Sequence, residues 1–122
     1  MKEDDEIIRT TIFSPEFVQY LADLKSNIRA KYDYVIHIIE TQYVVSEKFI
    51  KKLQNTDLYE MRVSISSSEY RTIIFALDAI NFMEAKQVIL LNSFLKKDEK
   101  MYKREIAKAI DLLNKMEDGN NE

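Results

Sequence analysis

The fold class follows from residues 58–77, whose sequence is LYEMRVSISSSEYRTIIFAL. In its first eight residues, apolar and polar side chains alternate with the period of two that a β-strand produces, so one face is apolar and the other carries Glu60 and Arg62. The three serines at 66–68 predict a turn. The apolar residues that follow predict a second strand over Tyr70–Leu77. This stretch therefore predicts two adjacent antiparallel strands with one face in a hydrophobic core.

The flanking sequence predicts one further strand on each side and three helices. Gln87–Leu95 is strongly apolar and predicts a third, central strand, and the β-branched residues of 7–13 predict an N-terminal strand. Ser14 and Pro15 are typical of a helix start. Apolar spacings of three and four predict two helices before the hairpin, the second over residues 30–45, and one after residue 100. Together these elements predict an α+β fold with a small antiparallel sheet, two N-terminal helices and one C-terminal helix.

The chain has 122 residues, the length of one domain. We expect an acidic tail over residues 1–6, a single domain over 7–117 and a polar tail over 118–122. No apolar stretch is long enough for a membrane span or a signal peptide, which predicts a cytoplasmic protein.

Composition excludes several classes of functional site. The chain has one glycine and no cysteine, so glycine-rich nucleotide-binding loops, zinc fingers, iron–sulfur clusters and thiolate nucleophiles are ruled out. A single histidine, His37, excludes a multi-histidine metal site. We therefore expect no metal and no small-molecule cofactor.

Charge is segregated along the chain, whose net charge is −3. The first six residues contain one lysine and four acidic residues, whereas residues 86–104 contain six basic and two acidic residues. The second segment predicts a local cationic patch.

Four short motifs occur in an order that is known from one protein superfamily. They are KKL at 51–53, LYEMR at 58–62, YR at 70–71, and FLKKDEK at 94–100 followed by EIAKA at 105–109. In this order they resemble the RelE/ParE toxin superfamily, most closely its phage-derived, HigB-like branch, over residues 11–116. The resemblance implies the RelE-like fold and a type II toxin–antitoxin toxin that is a ribosome-dependent mRNA endonuclease. The implied partners are the ribosome, mRNA and a cognate helix-turn-helix antitoxin.

These motifs supply side chains suited to RNA cleavage. Attack by the RNA's own 2′-hydroxyl needs stabilisation of the phosphorane charge and two proton transfers. Arginines on neighbouring strands are expected to converge on one phosphate, and a carboxylate, tyrosine or lysine is expected to move protons. The expected catalytic residues are Arg62, Arg71 and Glu60. The expected RNA-binding residues are Lys96, Lys97, Lys100, Lys51, Lys52 and Tyr70, and Tyr102 is a further candidate for base stacking or proton transfer.

Two other functions stay open at this point. A ParE-like toxin would bind DNA gyrase and would need no pair of convergent arginines. A non-catalytic family member would act as a binding module. The superfamily's His-Gly before Phe94 is Asn92-Ser93 here, its Thr-Pro at the last helix is Met101-Tyr102, and most of these toxins are more basic than this chain.

Overall fold

The computed structural model describes residues 6–120 and contains three helices and five strands within that range. In chain order these are β1 Thr10–Phe13, α1 Pro15–Ala22, α2 Ser26–Thr41, β2 Ile50–Lys52, β3 Leu58–Ile65, β4 Ser68–Ala76, β5 Gln87–Leu95 and α3 Glu99–Asn120. The predicted α+β fold, with two N-terminal helices and one C-terminal helix, is confirmed. None of the helices in this described part combines the length and the apolar character that crossing a membrane requires.

The sheet is mixed rather than wholly antiparallel, which corrects the prediction in one respect. Its strand order is β1-β5-β4-β3-β2. The strands β2 to β5 form an antiparallel meander, but β1 pairs in parallel with β5, from Thr10 opposite Gln87 to Phe13 opposite Leu90. The parallel pair arises because α1 and α2 carry the chain from β1 to the far edge of the sheet, and the meander then returns to β1.

Several element boundaries differ from the sequence predictions. The N-terminal strand begins at Thr10 instead of residue 7, and the second helix spans 26–41 instead of 30–45. The strand β2 has no counterpart among the predictions, because three residues are too few for an alternating pattern to be recognised. Residues 1–5 of the expected acidic tail and residues 121–122 of the expected polar tail lie outside the described residues, and α3 includes residues 118–120.

Helices cover both faces of the sheet. On one face α1 and α2 pack over a core that contains Phe17, Tyr32, Val35, Ile39, Met61, Val63 and Leu90. On the other face α3 packs over a second core that contains Leu58, Ile73, Leu91, Phe94 and Ala109. The alternation in β3 therefore directs its odd-numbered apolar side chains towards α2, and it directs Glu60 and Arg62 to the side of α3.

The start of α1 agrees with its sequence signature. The Ser14 hydroxyl accepts a hydrogen bond from the backbone N–H of Phe17 at 3.0 Å, and Pro15 occupies the first helical position. The same hydroxyl donates to the carbonyl of Leu91. One side chain thus satisfies the helix N-terminus and fastens it to β5.

A buried arginine, Arg9, ties the beginning of β1 to two distant segments. Its side chain is 1% exposed and donates to carbonyl oxygens of Ile39, Gln42, Tyr43, Met83 and Ala85 at 2.6 to 3.2 Å. The first three carbonyls lie at the C-terminal end of α2, where helix carbonyls lack partners and carry partial negative charge. The other two belong to the connection between β4 and β5. Burial lowers the pKa of Arg9, but a guanidinium stays protonated in proteins.

We expect Arg9→Ala to lower the free energy of unfolding by about 3 kcal/mol or more, because several buried carbonyls would lose their donor together. Urea unfolding followed by circular dichroism measures the change. Arg29→Ala is the matched control, since Arg29 makes an exposed pair with Asp33 on α2, and such a pair contributes about 0.5 kcal/mol at most. Equal unfolding midpoints for Arg9→Ala and Arg29→Ala would contradict the structural role of Arg9.

Candidate functional site

The candidate site is built around a buried carboxylate on β3. Glu60 is 2% exposed. Its Oε2 lies 2.6 Å from Nε of Arg62 and 3.5 Å from Nε of Arg71. Its Oε1 accepts a hydrogen bond from the hydroxyl of Tyr102. A buried carboxylate is stable only when it is paired with a positive charge and hydrogen-bonded. Here two arginines and one tyrosine together provide these interactions.

Sheet register and the first turn of α3 bring these four side chains together. Arg62 on β3 is directly opposite Arg71 on β4, so the two guanidinium groups lie on the same face as Glu60. Tyr102 follows three residues after the start of α3. Its ring packs against Phe94 at 6.0 Å between centroids, and Nζ of Lys96 lies 4.8 Å from its centroid. These contacts hold the phenol over Glu60.

The two arginines differ in access to solvent. The side chain of Arg71 is 8% exposed and makes a second ion pair, at 3.2 Å, with the exposed Glu69; its guanidinium also donates to the backbone carbonyl of Tyr70 at 3.0 Å. The side chain of Arg62 is 28% exposed. Arg62 is therefore the arginine that an incoming anion can reach, whereas the less exposed Arg71 stabilises the charge of Glu60.

A cleft of about 400 Å³ opens beside Arg62, and we call it the β3–α3 cleft. It lies between the β2–β3 edge and the start of α3. Four cationic side chains and two carboxylates line it, so its net charge is positive; they are Lys51, Lys52, Arg62, Lys103, Glu60 and Glu99. A cleft of this net charge suits an anionic ligand, for which Arg62 and the lysines are the available cations.

The hydroxyl of Tyr102 keeps its proton. Burial, and next the hydrogen bond to the Glu60 carboxylate, raise the pKa of Tyr102 above its ordinary range. A phenol held in this way is a hydrogen-bond donor at neutral pH and has a proton to transfer.

The structure places the predicted RNA-binding residues in different surroundings. Lys51 and Lys52 line the β3–α3 cleft, and Lys52 also donates to the carbonyl of Thr56 at 2.6 Å. Lys96 lies against the ring of Tyr102. Lys97 and Lys100 are exposed at the start of α3 and do not line the cleft.

Tyr70 does not join the site. It neighbours Arg71 on β4 but points to the opposite face, where its ring packs edge-on against Tyr32 with centroids 5.9 Å apart. His37 belongs to α2, which covers that opposite face as well. The alternation of the strand thus separates Tyr70 from Glu60, and the helix that carries His37 lies across the sheet from Glu60.

Sequence reasoning did not single out Lys103, and it gave Tyr102 no more weight than Tyr70. A signal for both existed, because Glu99, Tyr102, Lys103 and Ile106 have the spacing of one helical face, and all four line the cleft. Recognising that face requires knowing that the start of α3 lies over β3, which depends on packing between distant parts of the chain.

The residues that replace the superfamily's His-Gly have structural partners. The amide nitrogen of Asn92 donates to the backbone carbonyl and to Oε1 of Glu105, each at 3.0 Å. The hydroxyl of Ser93 donates to the carbonyl of Arg71 at 2.9 Å and lies 2.7 Å from the hydroxyl of Tyr32. Both are buried. They join β5 to α3 and to β4 rather than lining the cleft.

No group of metal-ligating side chains occurs among residues 6–120. The functional groups that line or support the β3–α3 cleft include a guanidinium, lysine ammonium groups, a phenol and a buried carboxylate.

Comparison with known proteins identifies the family. The model of the family described as "Phage derived protein Gp49-like" matches residues 19–114, which is most of the chain. The chain belongs to this phage-derived Gp49-like family. No curated protein matches it.

Among solved structures, a chain from the crystal structure of the intact E. coli RelBE toxin–antitoxin complex is similar to this Gp49-like protein. The two chains are 16% identical, the match covers 74% of this chain and 99% of that chain, and the TM-score is 0.51. At this identity the likeness shows a common fold. The family match agrees with the phage-derived branch of the expected resemblance, and the common fold is the RelE-like fold that the resemblance implies.

The raised pKa of Tyr102 predicts a specific effect of alkaline pH on this Gp49-like protein. The ordinary tyrosine pKa is 10.0 and the folded state raises it, so folding favours the protonated phenol. This stabilisation is complete below the unfolded-state pKa and is lost as pH rises above it towards the folded-state pKa. We therefore expect the free energy of unfolding of the wild type to fall more steeply above that pH than that of Tyr102→Phe.

Urea unfolding at a series of pH values measures this difference. Tyr34→Phe is the control, because Tyr34 is an exposed tyrosine, and its pH profile should follow the wild type. Parallel profiles for the wild type and Tyr102→Phe would show that the phenol is not held in its protonated form by the fold.

Proposed function

We propose that this Gp49-like protein is the toxin of a type II toxin–antitoxin pair and that it cleaves mRNA on the ribosome. The observation that carries the proposal is the β3–α3 cleft, in which a buried carboxylate holds a partly exposed arginine beside flexible lysines. The matched crystal structure is that of a toxin–antitoxin complex, which supports an antitoxin as the partner; a helix-turn-helix protein is the kind that the HigB-like resemblance implies. Such a toxin would act in the cytoplasm.

The reaction fits the side chains of the cleft. The RNA 2′-hydroxyl attacks the neighbouring phosphorus, the bond from phosphorus to the 5′ oxygen breaks, and the products are a 2′,3′-cyclic phosphate and a 5′-hydroxyl. Arg62 stabilises the charge that develops on the phosphorane oxygens. Tyr102 donates its proton to the leaving 5′ oxygen. The proton of the 2′-hydroxyl passes to solvent through the open mouth of the cleft, and Tyr102 takes a proton back from solvent before the next turnover.

Glu60 and Arg71 have supporting roles in this mechanism. Both oxygens of Glu60 are engaged by positive or hydrogen-bonding groups, so the carboxylate is placed to hold side chains of the cleft in position. Glu60 orients Arg62 and Tyr102, and Arg71 stabilises Glu60. Lys51, Lys52 and Lys103 neutralise phosphates on either side of the cleaved bond.

We expect Arg62→Ala to abolish growth arrest when the chain is expressed alone in bacteria, and to lower the rate of mRNA cleavage on purified ribosomes about 10² to 10³-fold. Arg62→Lys should recover only part of the rate, because an ammonium lacks the planar fork of the guanidinium. Arg29→Ala is the control for loss of one exposed positive charge. Thermal unfolding of each variant establishes that it is folded.

Other outcomes of this experiment point to other functions. Arrest with intact mRNA, unchanged by Arg62→Ala, would favour a gyrase-binding toxin of the ParE kind. No arrest by folded wild-type protein would favour a non-catalytic binding module. Cleavage at the wild-type rate by folded Arg62→Ala would show that the phosphate is held elsewhere.

The lysines of the cleft and those outside it should differ in their effect on RNA binding. We expect Lys51→Ala to weaken binding of a non-cleavable RNA and to lower the slope of log K against log salt by about one, because one phosphate contact is lost. Lys97→Ala removes the same charge from an exposed position outside the cleft and is the control. Fluorescence polarisation at several salt concentrations measures both, and equal salt slopes for the two variants would contradict the assignment of Lys51 to the cleft.

A further inference from the structure

A second pocket lies on the other side of Arg62, between β3 and α2. Its volume is about 230 Å³, and it is lined by Lys31, Val35, Lys48, Phe49, Arg62 and Ser64. We call it the α2 pocket. It shares Arg62 with the β3–α3 cleft, so this residue lines both depressions.

Backbone contacts fix the walls of the α2 pocket. The N–H of Arg62 donates to the carbonyl of Phe49 at 2.7 Å, which fastens the segment before β2 against β3. Lys31 precedes the buried Val35 by one helical turn on α2, so both lie on the face that looks towards β3. The cationic side chains therefore converge from a helix, a loop and a strand.

The lysines of the pocket lie on aromatic rings and not beside carboxylates. Nζ of Lys31 is 5.2 Å from the centroid of Tyr34, and Nζ of Lys48 is 5.6 Å from that of Phe49. The two rings meet edge to face with centroids 6.4 Å apart. In the part of the chain that the structure describes, neither lysine forms an ion pair with an acidic side chain.

Two acidic side chains close to these residues in sequence, Glu69 and Asp33, are engaged with other partners. Glu69 accepts from the hydroxyl of Ser64 at 2.8 Å and pairs with Arg71 at 3.2 Å. Asp33 on α2 pairs with Arg29 at 3.0 Å. The positive charges of Lys31 and Lys48 are thus available to a ligand, beside an aromatic ring, Tyr34, that is 55% exposed.

We propose that the α2 pocket is a second nucleotide-binding subsite, which holds a phosphate next to the one in the β3–α3 cleft on the same RNA strand. The proposal rests on the proposed function, because Arg62 serves both phosphates. Lys31 and Lys48 neutralise the second phosphate, and the exposed face of Tyr34 stacks on the adjoining base. Lysines interleaved with aromatic rings are the usual means by which proteins hold single-stranded nucleic acid.

An acidic segment of a partner protein is the other ligand that two free lysines could attract. RNA is favoured because Arg62 lines both the pocket and the cleft and because Tyr34 offers a flat apolar face, which carboxylates do not use. The test below separates these two ligands.

The test uses fluorescent 2′-O-methyl oligouridylates, which cannot be cleaved, in a series from about two to about ten nucleotides. For the wild type, affinity should rise with length as the strand reaches the second subsite. For Lys31→Ala/Lys48→Ala, the longest oligonucleotide should bind about tenfold more weakly and its salt slope should fall by about two. The shortest should bind as it does to the wild type.

The matched control is Lys25→Ala/Lys86→Ala, which removes two exposed lysines that do not line the α2 pocket. If the Lys31/Lys48 variant binds every oligonucleotide like this control, the second subsite is wrong while the β3–α3 cleft stands. Loss of binding to poly-glutamate with RNA binding intact would assign the pocket to an acidic protein and overturn the proposal. No RNA binding by the wild type at any length would overturn the proposed function as well.

Discussion

The arrangement of the candidate site depends on the burial of one carboxylate. Glu60 lies under the start of α3 with 2% of its surface exposed, where an unpaired carboxylate would cost several kcal/mol. The fold meets this constraint by placing a residue from each of three elements against it: Arg62 from β3, Arg71 from β4 and Tyr102 from α3. Strand pairing, the position of α3 and the orientation of Arg62 are therefore linked through the same side chain.

A second buried charge, that of Arg9, is stabilised in a different way. Arg9 has no carboxylate among its partners in the described residues and is satisfied by carbonyls of the α2 C-terminus and of the β4–β5 connection. Its guanidinium also lies 4.4 Å from the centroid of Phe82. Arg9 thereby connects the parallel strand β1 to segments far away in sequence. Hydrogen bonds are directional, so they fix the position of β1 relative to the end of α2 and to the β4–β5 connection.

How much of this could be predicted from the sequence depends on whether a feature is local. Alternation in β3, the Ser14-Pro15 helix start and the amphipathic pattern of α3 are local, and the structure confirms them. The proximity of Arg62 and Arg71 follows from two adjacent strands and a short turn, so it too was predictable. The parallel pairing of β1, the side of the sheet that α3 covers and the separation of Tyr70 from the site depend on contacts between distant residues, and no local pattern encodes them.

The pairing of Glu60 also determines how Arg62 can act. If Arg62 turned from Glu60 to a phosphate, the carboxylate would keep Arg71 as its ion-pair partner and would have the hydroxyl of Tyr102 as a donor whenever that phenol is protonated. The other arginine could not make this exchange, because it is 8% exposed and is also held by Glu69. The two arginines thus differ in what they can do. The less exposed Arg71 stabilises the buried charge of Glu60, and the more exposed Arg62 could leave Glu60 for another anion. Arg62 lines both depressions, and an anion bound to it would leave Glu60 with a compensating charge from Arg71.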